Sequence, residues 1–324
     1  MIITINSKLV FQGNNKESIL ESAKKSSINF NHSCLNGRCS ECKVKVVSGQ
    51  YHMPKNQEGL TESEVNQGYC LSCITHPLSD LILDDVSFFE GTLPSVKTIP
   101  AKIQKLDFLS KEVAFLQLRT PPNNRLTFIP GQYVDLSING IKRSYSISST
   151  PTDNTIDFII KNYPDGKFSN YLFKEAKEND LLRVEGPKGT YILQNSVEHN
   201  FVFMSTGTGI APNLSIIKHA LAHNVLSPKQ ITIIHGQSFA KDHVYSFQSI
   251  PKGVRIIKVN SKEKIKGFAF GYVQEVFLAE DFDLKHTEVY ACGNPAMIKE
   301  SKKLLTLNGL TEKKFKSEIF VNSI

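Results

Sequence analysis

Apolar and polar residues alternate over residues 2–11, "IITINSKLVF", which predicts two short strands around a turn at Asn6 and Ser7. In "ESILESAKKSSI" (17–28), Ile19, Leu20, Ala23 and Ile28 share one face at helical spacing, so a helix is predicted there. The two-residue period returns in "KVKVVSGQY" (43–51), a strand that Gly49 ends, and in "DLILDD" (80–85). "GYCLSCITHP" (68–77) lies between them, after a loop rich in Gly, Asn and Glu. Together these elements predict a compact α+β unit over residues 1–92. "SFFEGTLPSVKTIP" (87–100) carries Gly91, Pro94 and Pro100 as breakers and reads as a linker. A linker making few contacts would let the first unit move.

The pattern then changes. "AKIQKLDFL", "VAFLQLRT", "QYVDLSI", "RSYSISS", "TIDFIIKNY" and "LLRVEGP" are short strands separated by turn chemistry at Asn139-Gly140, Asp153-Asn154 and Asp165-Gly166. That spacing predicts an antiparallel β-barrel over 99–194. From 197 to 324, apolar runs such as "NFVFMST", "QITIIHG", "GVRIIKVN" and "TEVYACG" alternate with helical segments such as "NLSIIKHALAHN". Parallel strands with crossover helices have this signature. The fold class is therefore multi-domain, an α+β unit followed by an antiparallel β-barrel and a parallel-sheet α/β domain.

Composition excludes several classes. The chain of 324 residues is 40% hydrophobic and 21% charged, as soluble globular domains are. It has no apolar run long enough to cross a membrane. Its N-terminal stretch is too short and too alternating for a signal peptide, so a cytoplasmic protein with reduced cysteines is expected. The net charge of +7 is carried after residue 92, because the first 92 residues hold 8 Lys+Arg against 10 Asp+Glu. No basic tract interleaved with aromatics and no nucleic-acid-binding signature accompanies it, so neither nucleic acid nor membrane is expected as a partner.

Three of the six cysteines fall within "CLNGRCSEC" (34–42). Two tetrads are possible. Cys39, Cys42, Cys70 and Cys73 form two CxxC pairs and resemble a structural zinc site. Cys34, Cys39, Cys42 and Cys73 have the C-x4-C-x2-C spacing, with a distant fourth cysteine, of plant-type [2Fe–2S] ferredoxins. The second tetrad uses the long first gap. A cluster held by four thiolates is negatively charged, so its loop must turn sharply and offer backbone N–H groups; Gly37 allows that turn. Cys70 is then a small buried residue. His32 and His76 flank the cysteines; with four well-spaced thiols present, both read as solvent-facing loop residues rather than Rieske ligands.

A one-electron cluster needs an electron donor, and "RSYS" (143–146), "PGQYVDL" (130–136) and "GKFSNYL" (166–172) suggest one. Arg143 suits a phosphate, Tyr145 an aromatic ring, and a glycine before a helix start suits a pyrophosphate. "MSTGTGIAPNLSIIKHAL" (204–221) is a strand, a glycine turn and a helix, where Gly207 and Gly209 let the backbone approach a dinucleotide. With "EGPKGTY", "YACGNPAMI" (290–298) and "SEIF" (317–320), the chain resembles the ferredoxin–NADP reductase superfamily, here preceded by a plant-type ferredoxin of β-grasp fold.

The resemblance implies FAD, a [2Fe–2S] cluster and NADH as cofactors. It places Tyr133, Arg143, Ser144, Tyr145 and Ser146 around the flavin, with Gly166, Lys167, Phe168 and Ser169 at the pyrophosphate. Gly207, Thr208, Gly209, Cys292 and Gly293 would meet the nicotinamide nucleotide. Ser146, Cys292 and Phe320 would act at the hydride-transfer site, Phe320 as a lid over the flavin or else as an ordinary core residue. Asn294 stands where that superfamily's CGPP segment has its first proline. Asp242, with no Arg beside a Ser or Thr for a 2′-phosphate, points to NADH.

"LRTPPNNRLTFIPGQYVDL", "GIKRSYSIS", "VYACGNPAMIKESKK" and "FKSEIF" are similar to the CDP-6-deoxy-Δ3,4-glucoseen reductases of 3,6-dideoxyhexose synthesis. That likeness implies a route from NADH through FAD and the cluster to a pyridoxamine-phosphate-dependent CDP-6-deoxy-hexulose 3-dehydrase. The reductase component of a bacterial mono- or dioxygenase is the alternative. A simple flavin reductase would not need the ferredoxin unit.

Overall fold

The computed structural model describes residues 1–194 and 196–320. It divides into two compact units, Met1–Leu93 with Gly189–Tyr191, and Pro94–Lys188 with the chain from Ile192 on. Among the described residues no helix is long and apolar enough to cross a membrane.

In the first unit, β1 (Ile2–Ile5) and β2 (Leu9–Gln12) form a hairpin whose turn residues Asn6 and Ser7 both have positive φ, 46° and 55°. Helix α1 spans Ile19–Lys25, capped by Ser18, whose side chain and Glu21 satisfy each other's backbone N–H groups. It is shorter than the predicted 17–28. Ser27, at φ 57°, turns the chain, and Ile28 begins strand β3 (Ile28–Phe30) instead. The remaining elements are β4 (Lys43–Ser48), β5 (Tyr51–His52), α2 (Glu62–Asn66), β6 (Tyr69–Leu71), β7 (His76–Pro77), β8 (Leu81–Asp84) and β9 (Phe88–Glu90). The main sheet runs β2-β1-β8-β4-β6, with β1 and β8 parallel. Alternate residues Ile3, Ile5, Leu81 and Leu83 bury one face against α1.

The predicted linker is partly structured. β9 pairs antiparallel with β3, Phe88 packs on the core, and Asn29 Nδ2 donates to Gly91 O at 2.8 Å. The strand ends at Glu90, directly before the first breaker, Gly91. The His32 expectation also fails. His32 is 8% exposed, and its Nδ1 lies 2.8 Å from Phe30 O, so that nitrogen carries the proton. Thr190 of the same unit accepts from His32 N at 2.7 Å and donates to His32 O at 2.9 Å. A residue that far along the chain covering the loop was not legible in the local pattern.

The second unit holds two sheets. β10 (Lys97–Phe108), β11 (Val113–Arg119), β12 (Tyr133–Ile138), β13 (Ile141–Ser146), β14 (Ile156–Lys161) and β15 (Leu181–Lys188) make a curled antiparallel half-barrel in the order β13-β12-β15-β10-β11-β14. Ile99, Ala101, Ile103, Leu116, Leu118, Val134, Leu136, Leu182 and Val184 fill it at two-residue spacing. Helix α3 (Lys167–Lys174) packs its Phe168 and Leu172 on this core.

The other sheet is wholly parallel. It comprises β16 (Asn200–Thr206), β17 (Ile231–Gln237), β18 (Arg255–Asn260), β19 (Ala269–Phe270), β20 (Thr287–Gly293) and β21 (Phe315–Ile319), ordered β19-β18-β17-β16-β20-β21. Helices α4 (Ile210–Ala222), α5 (Val273–Ala279) and α6 (Pro295–Leu307) make crossovers. Strand order reverses between β16 and β20, and a crevice at such a reversal is where open α/β sheets take ligands.

Candidate functional site

The loop between β3 and β4 carries Cys34, Cys39 and Cys42. Leu35, Gly37 and Ser40 have φ of 58°, 78° and 64°, left-handed turns that bend the loop sharply. Arg38 N donates to Cys34 Sγ at 3.4 Å and Cys34 N to Cys39 Sγ at 3.5 Å. The backbone of Gly37 also reaches the Cys73 thiol. The thiols stand as two pairs, Cys34 with Cys39, and Cys42 with Cys73 at 3.2 Å. The Cys39 thiol holds Cys34 well below the usual thiol value, and the Cys42 thiol lowers Cys73. Among the described residues no three His, Cys, Asp or Glu side chains converge on a single ion. Two pairs of thiols, lined with N–H donors, fit a binuclear cluster, which takes four thiolates.

Cys70 does not join them. It lies on β6 with no exposure, hydrogen-bonds Thr75, and burial pushes its thiol up to about 12. The zinc tetrad that needs Cys70 is therefore not assembled. Two glycines hold the loop. A Cβ on Gly37 would lie 2.6 Å from Ile74 Cδ1, and one on Gly59 would lie 2.9 Å from Gly37 O. Gly59 N donates to Gly37 O at 2.9 Å, and Ser40 Oγ donates to Gly59 O. Sequence reasoning missed Gly59; its only signal was a glycine in a polar loop.

In the second unit, β13 alternates. Arg143 and Tyr145 share one face, and the Tyr145 ring lies 5.2 Å from that of Phe168. Ser144 lies on the other face, where it donates to Asp135 Oδ1 at 2.6 Å within a network of Lys188, Glu185 and Lys142. Its side chain is thus turned away from Arg143 and Tyr145, because one strand cannot present neighbouring residues to one side. Tyr133 is buried and pairs with Ser146 in the strand register.

Gly166 caps α3, with Lys167 in its first turn. The Ser169 hydroxyl is engaged locally, accepting from Tyr163 N and lying 2.9 Å from Tyr163 O and 3.0 Å from Gly166 O. Phe168 is 1% exposed in the core. What these two residues can offer a ligand is their backbone at the helix N-terminus.

At the strand-order reversal, Ser146 and residues of the parallel sheet meet. Ser146 Oγ donates to Glu318 Oε2 at 2.9 Å, and Cys292 Sγ lies 4.0 Å from the same oxygen. Glu318 is 3% exposed on β21, opposite Cys292 on β20. Burial, then the Glu318 charge, raises Cys292 far above the usual thiol value, so it is a neutral thiol. Glu318 was not singled out from sequence, although a lone carboxylate directly before the apolar pair Ile319-Phe320 is such a signal. Gly207, Thr208 and Gly209 form a tight turn into α4, with Gly207 at φ 56°. Phe320 is half-buried and its N donates to Gly293 O at 3.1 Å. Asp242 Oδ2 accepts from Phe239 N in the turn after β17.

Comparison with known proteins fits these sites. Residues 3–78 match the 2Fe-2S iron-sulfur cluster binding domain, 100–192 the oxidoreductase FAD-binding domain, and 203–303 the oxidoreductase NAD-binding domain. Among solved structures, the Amycolatopsis cytochrome P450 reductase GcoB shares the fold, with a TM-score of 0.76 at 22% identity over 99% of this chain and 98% of that one. The protein is thus an NAD(P)H-dependent oxidoreductase of the iron–sulfur flavoprotein class.

Whole-length relatives narrow it. The CDP-6-deoxy-L-threo-D-glycero-4-hexulose-3-dehydrase reductase of Yersinia pestis is 34% identical over 98% of this chain and 97% of its own. Protein RfbI of Salmonella typhimurium is 33% identical over 98% of this chain and 95% of its own. The propane 2-monooxygenase reductase component of Mycolicibacterium goodii is 28% identical over 95% of this chain and 92% of its own. The chain belongs to the family of CDP-6-deoxy-L-threo-D-glycero-4-hexulose-3-dehydrase reductases.

Proposed function

We propose that this protein takes electrons from NADH through FAD and a [2Fe–2S] cluster and delivers them to a CDP-6-deoxy-hexulose 3-dehydrase in 3,6-dideoxyhexose synthesis. The observation that carries the partner is the likeness to dehydrase reductases along the whole chain, at higher identity than to the oxygenase reductases. When bound, FAD would supply the change from two-electron to one-electron transfer, and a [2Fe–2S] cluster single-electron transfer.

The chain's own residues supply placement and charge. Cys34, Cys39, Cys42 and Cys73 would hold the cluster as two thiolate pairs, and the loop's N–H groups would offset the negative charge of the sulfurs. Arg143 pairs with flavin phosphate, Tyr145 and Tyr133 flank the flavin, and the backbone of Ser144 continues that strand. The first turn of α3, from Gly166 to Ser169, offers N–H groups to the pyrophosphate. Gly207, Thr208 and Gly209 admit the nucleotide pyrophosphate, and Cys292 and Gly293 border the nicotinamide. A neutral Cys292 thiol there adds no charge beside the reacting ring. Glu318 fixes the Ser146 hydroxyl and can take or return a proton at Ser146 Oγ. Phe320 would serve as a lid at the flavin face. The Asp242 carboxylate disfavours a 2′-phosphate, hence NADH.

Anaerobic titration with NADH, followed by visible absorbance and low-temperature EPR, tests the route. Bleaching of both flavin and cluster bands with a rhombic [2Fe–2S] signal is expected. The partner is tested by reconstitution with the dehydrase and its CDP-sugar substrate. Turnover with a Rieske or di-iron oxygenase but none with the dehydrase would favour the oxygenase reading, which the propane monooxygenase likeness keeps in view.

A further inference from the structure

The turns after β16 and β20 meet backbone to backbone. A Cβ on Gly209 would lie 2.3 Å from Cys292 O, and one on Gly293 would lie 2.5 Å from Thr206 Oγ1 and 3.0 Å from Thr206 O. Each turn is bent through a glycine of positive φ, Gly207 at 56° and Gly293 at 144°. Such turns bring little side-chain packing of their own to hold them together. Beyond the parallel ladder of β16 and β20, which ends with Ser205 opposite Cys292, the bond from Asn294 N to Thr206 Oγ1 at 3.3 Å crosses this contact.

A proline at position 294 would have no N–H to give. Asn294 has φ −62° and ψ 136°, a backbone that proline also adopts. Asparagine therefore changes the chemistry of this turn more than its path. It adds the donor to Thr206, and a side chain that accepts from Ala296 N at 2.8 Å and caps α6. Pro295 takes the first helical position behind it. The turn is anchored on one side to α6 and on the other to the residue that leads into Gly207.

We infer that Asn294 and Thr206 are positioning residues that latch the two turns and set the width of the crevice in which the nicotinamide nucleotide is held. The inference rests on the proposed nucleotide role of Gly207–Gly209 and Cys292–Gly293. Without the latch, nothing beyond the ladder end at Cys292 ties the turn after β20 to the turn after β16, and its tip can draw back. Nucleotide affinity then falls, while the groups at the flavin, Ser146 and Glu318, stay in place. The latch thus acts on binding more than on the rate at saturation.

The test uses the holoenzyme and its Thr206→Val, Thr206→Ser, Asn294→Pro and Thr206→Val/Asn294→Pro variants. Rapid-mixing flavin reduction gives the NADH concentration for half-maximal rate and the limiting rate. Equilibrium dialysis gives the NAD+ dissociation constant, and the thermal midpoint reports the fold. Thr206→Val and Asn294→Pro are each expected to raise the half-saturating NADH concentration and the NAD+ dissociation constant about three- to tenfold, with a smaller change in limiting rate. Thr206→Ser, which keeps the hydroxyl, should restore affinity. The double variant should match Asn294→Pro alone, because both changes remove one hydrogen bond.

Additive effects, a Thr206→Ser variant as weak as Thr206→Val, or unchanged affinity in Thr206→Val would overturn the latch. Asn294→Pro also loses the helix cap; if it does not fold, the Val and Ser variants at Thr206 decide. A wild-type protein that binds NAD+ but whose flavin is not reduced by NADH would sink the functional reading instead, and the NAD+ constants would still judge the latch.

Discussion

Replacing Gly209 by alanine places a methyl carbon 2.3 Å from Cys292 O, 2.7 Å from its carbonyl carbon and 2.8 Å from Gly293 Cα. All are backbone atoms, so no side chain can rotate aside. Non-bonded carbon contacts settle at about 3.5–4.0 Å, so the turns after β16 and β20 must part by roughly 1 Å. A misplacement of that size at reacting groups costs on the order of 10²-fold in rate, equivalent to about 2.7 kcal/mol of barrier. Overpacking also destabilises by about 1–3 kcal/mol, or a few degrees of Tm in a unit of this size. Gly209→Ala is therefore expected to keep its flavin and cluster spectra, melt somewhat lower, and lose about 100-fold in kcat/KM for NADH with ferricyanide as acceptor. A variant that folds, keeps both chromophores and stays within about threefold of wild type would refute the argument that apposition of these turns places the nucleotide.

Three further outcomes are expected. Cys34→Ser should abolish the [2Fe–2S] EPR signal while NADH still bleaches the flavin. Cys70→Ala should keep the signal at a cost of about 1 kcal/mol in stability, since that thiol is inside the core; loss of the cluster in Cys70→Ala would revive the other tetrad. Glu318→Ala leaves the Ser146 hydroxyl without its acceptor, and should slow flavin reduction by roughly 10–100-fold, from a loss of about 1–3 kcal/mol. Rapid mixing with NADH checks this, and an unchanged limiting rate would remove Glu318 from the site. His235 is fully buried against Ser205, and burial, then His243 and Lys258, hold it down to about 3. Its folded value lies below the unfolded value of about 6.5, so the unfolded chain binds the proton first as pH falls. Stability present above pH ~6.5 should then drop by about 1.4 kcal/mol per unit as pH falls toward 3. Urea unfolding between pH 7 and 5 should show a shallower slope in His235→Asn, and equal slopes would contradict the assignment.

Sequence periodicity determined much of this protein, because the spacing within each element is local. The Asn6-Ser7 hairpin, the two-residue spacing that fills the half-barrel, and the apolar runs of the parallel sheet each follow from residues a few positions apart. The cysteine spacing works in the same way, since one side of a cluster is grasped by a single loop whose turns need Gly37. Tertiary structure decided the rest. Strand alternation turned Ser144 to Asp135, and a loop hydrogen-bond set engaged the Ser169 hydroxyl, although both lie in motifs that read as cofactor contacts. Thr190 covers His32 across 158 positions, and β9 forms only because β3 offers it an edge. Glu318 becomes a candidate proton carrier only when β21 lies beside β20 and brings it to Ser146, 172 positions away. A sequence fixes which chemical groups are available and how neighbours are spaced. Burial and the partner of each group depend on which distant segments the sheets bring together.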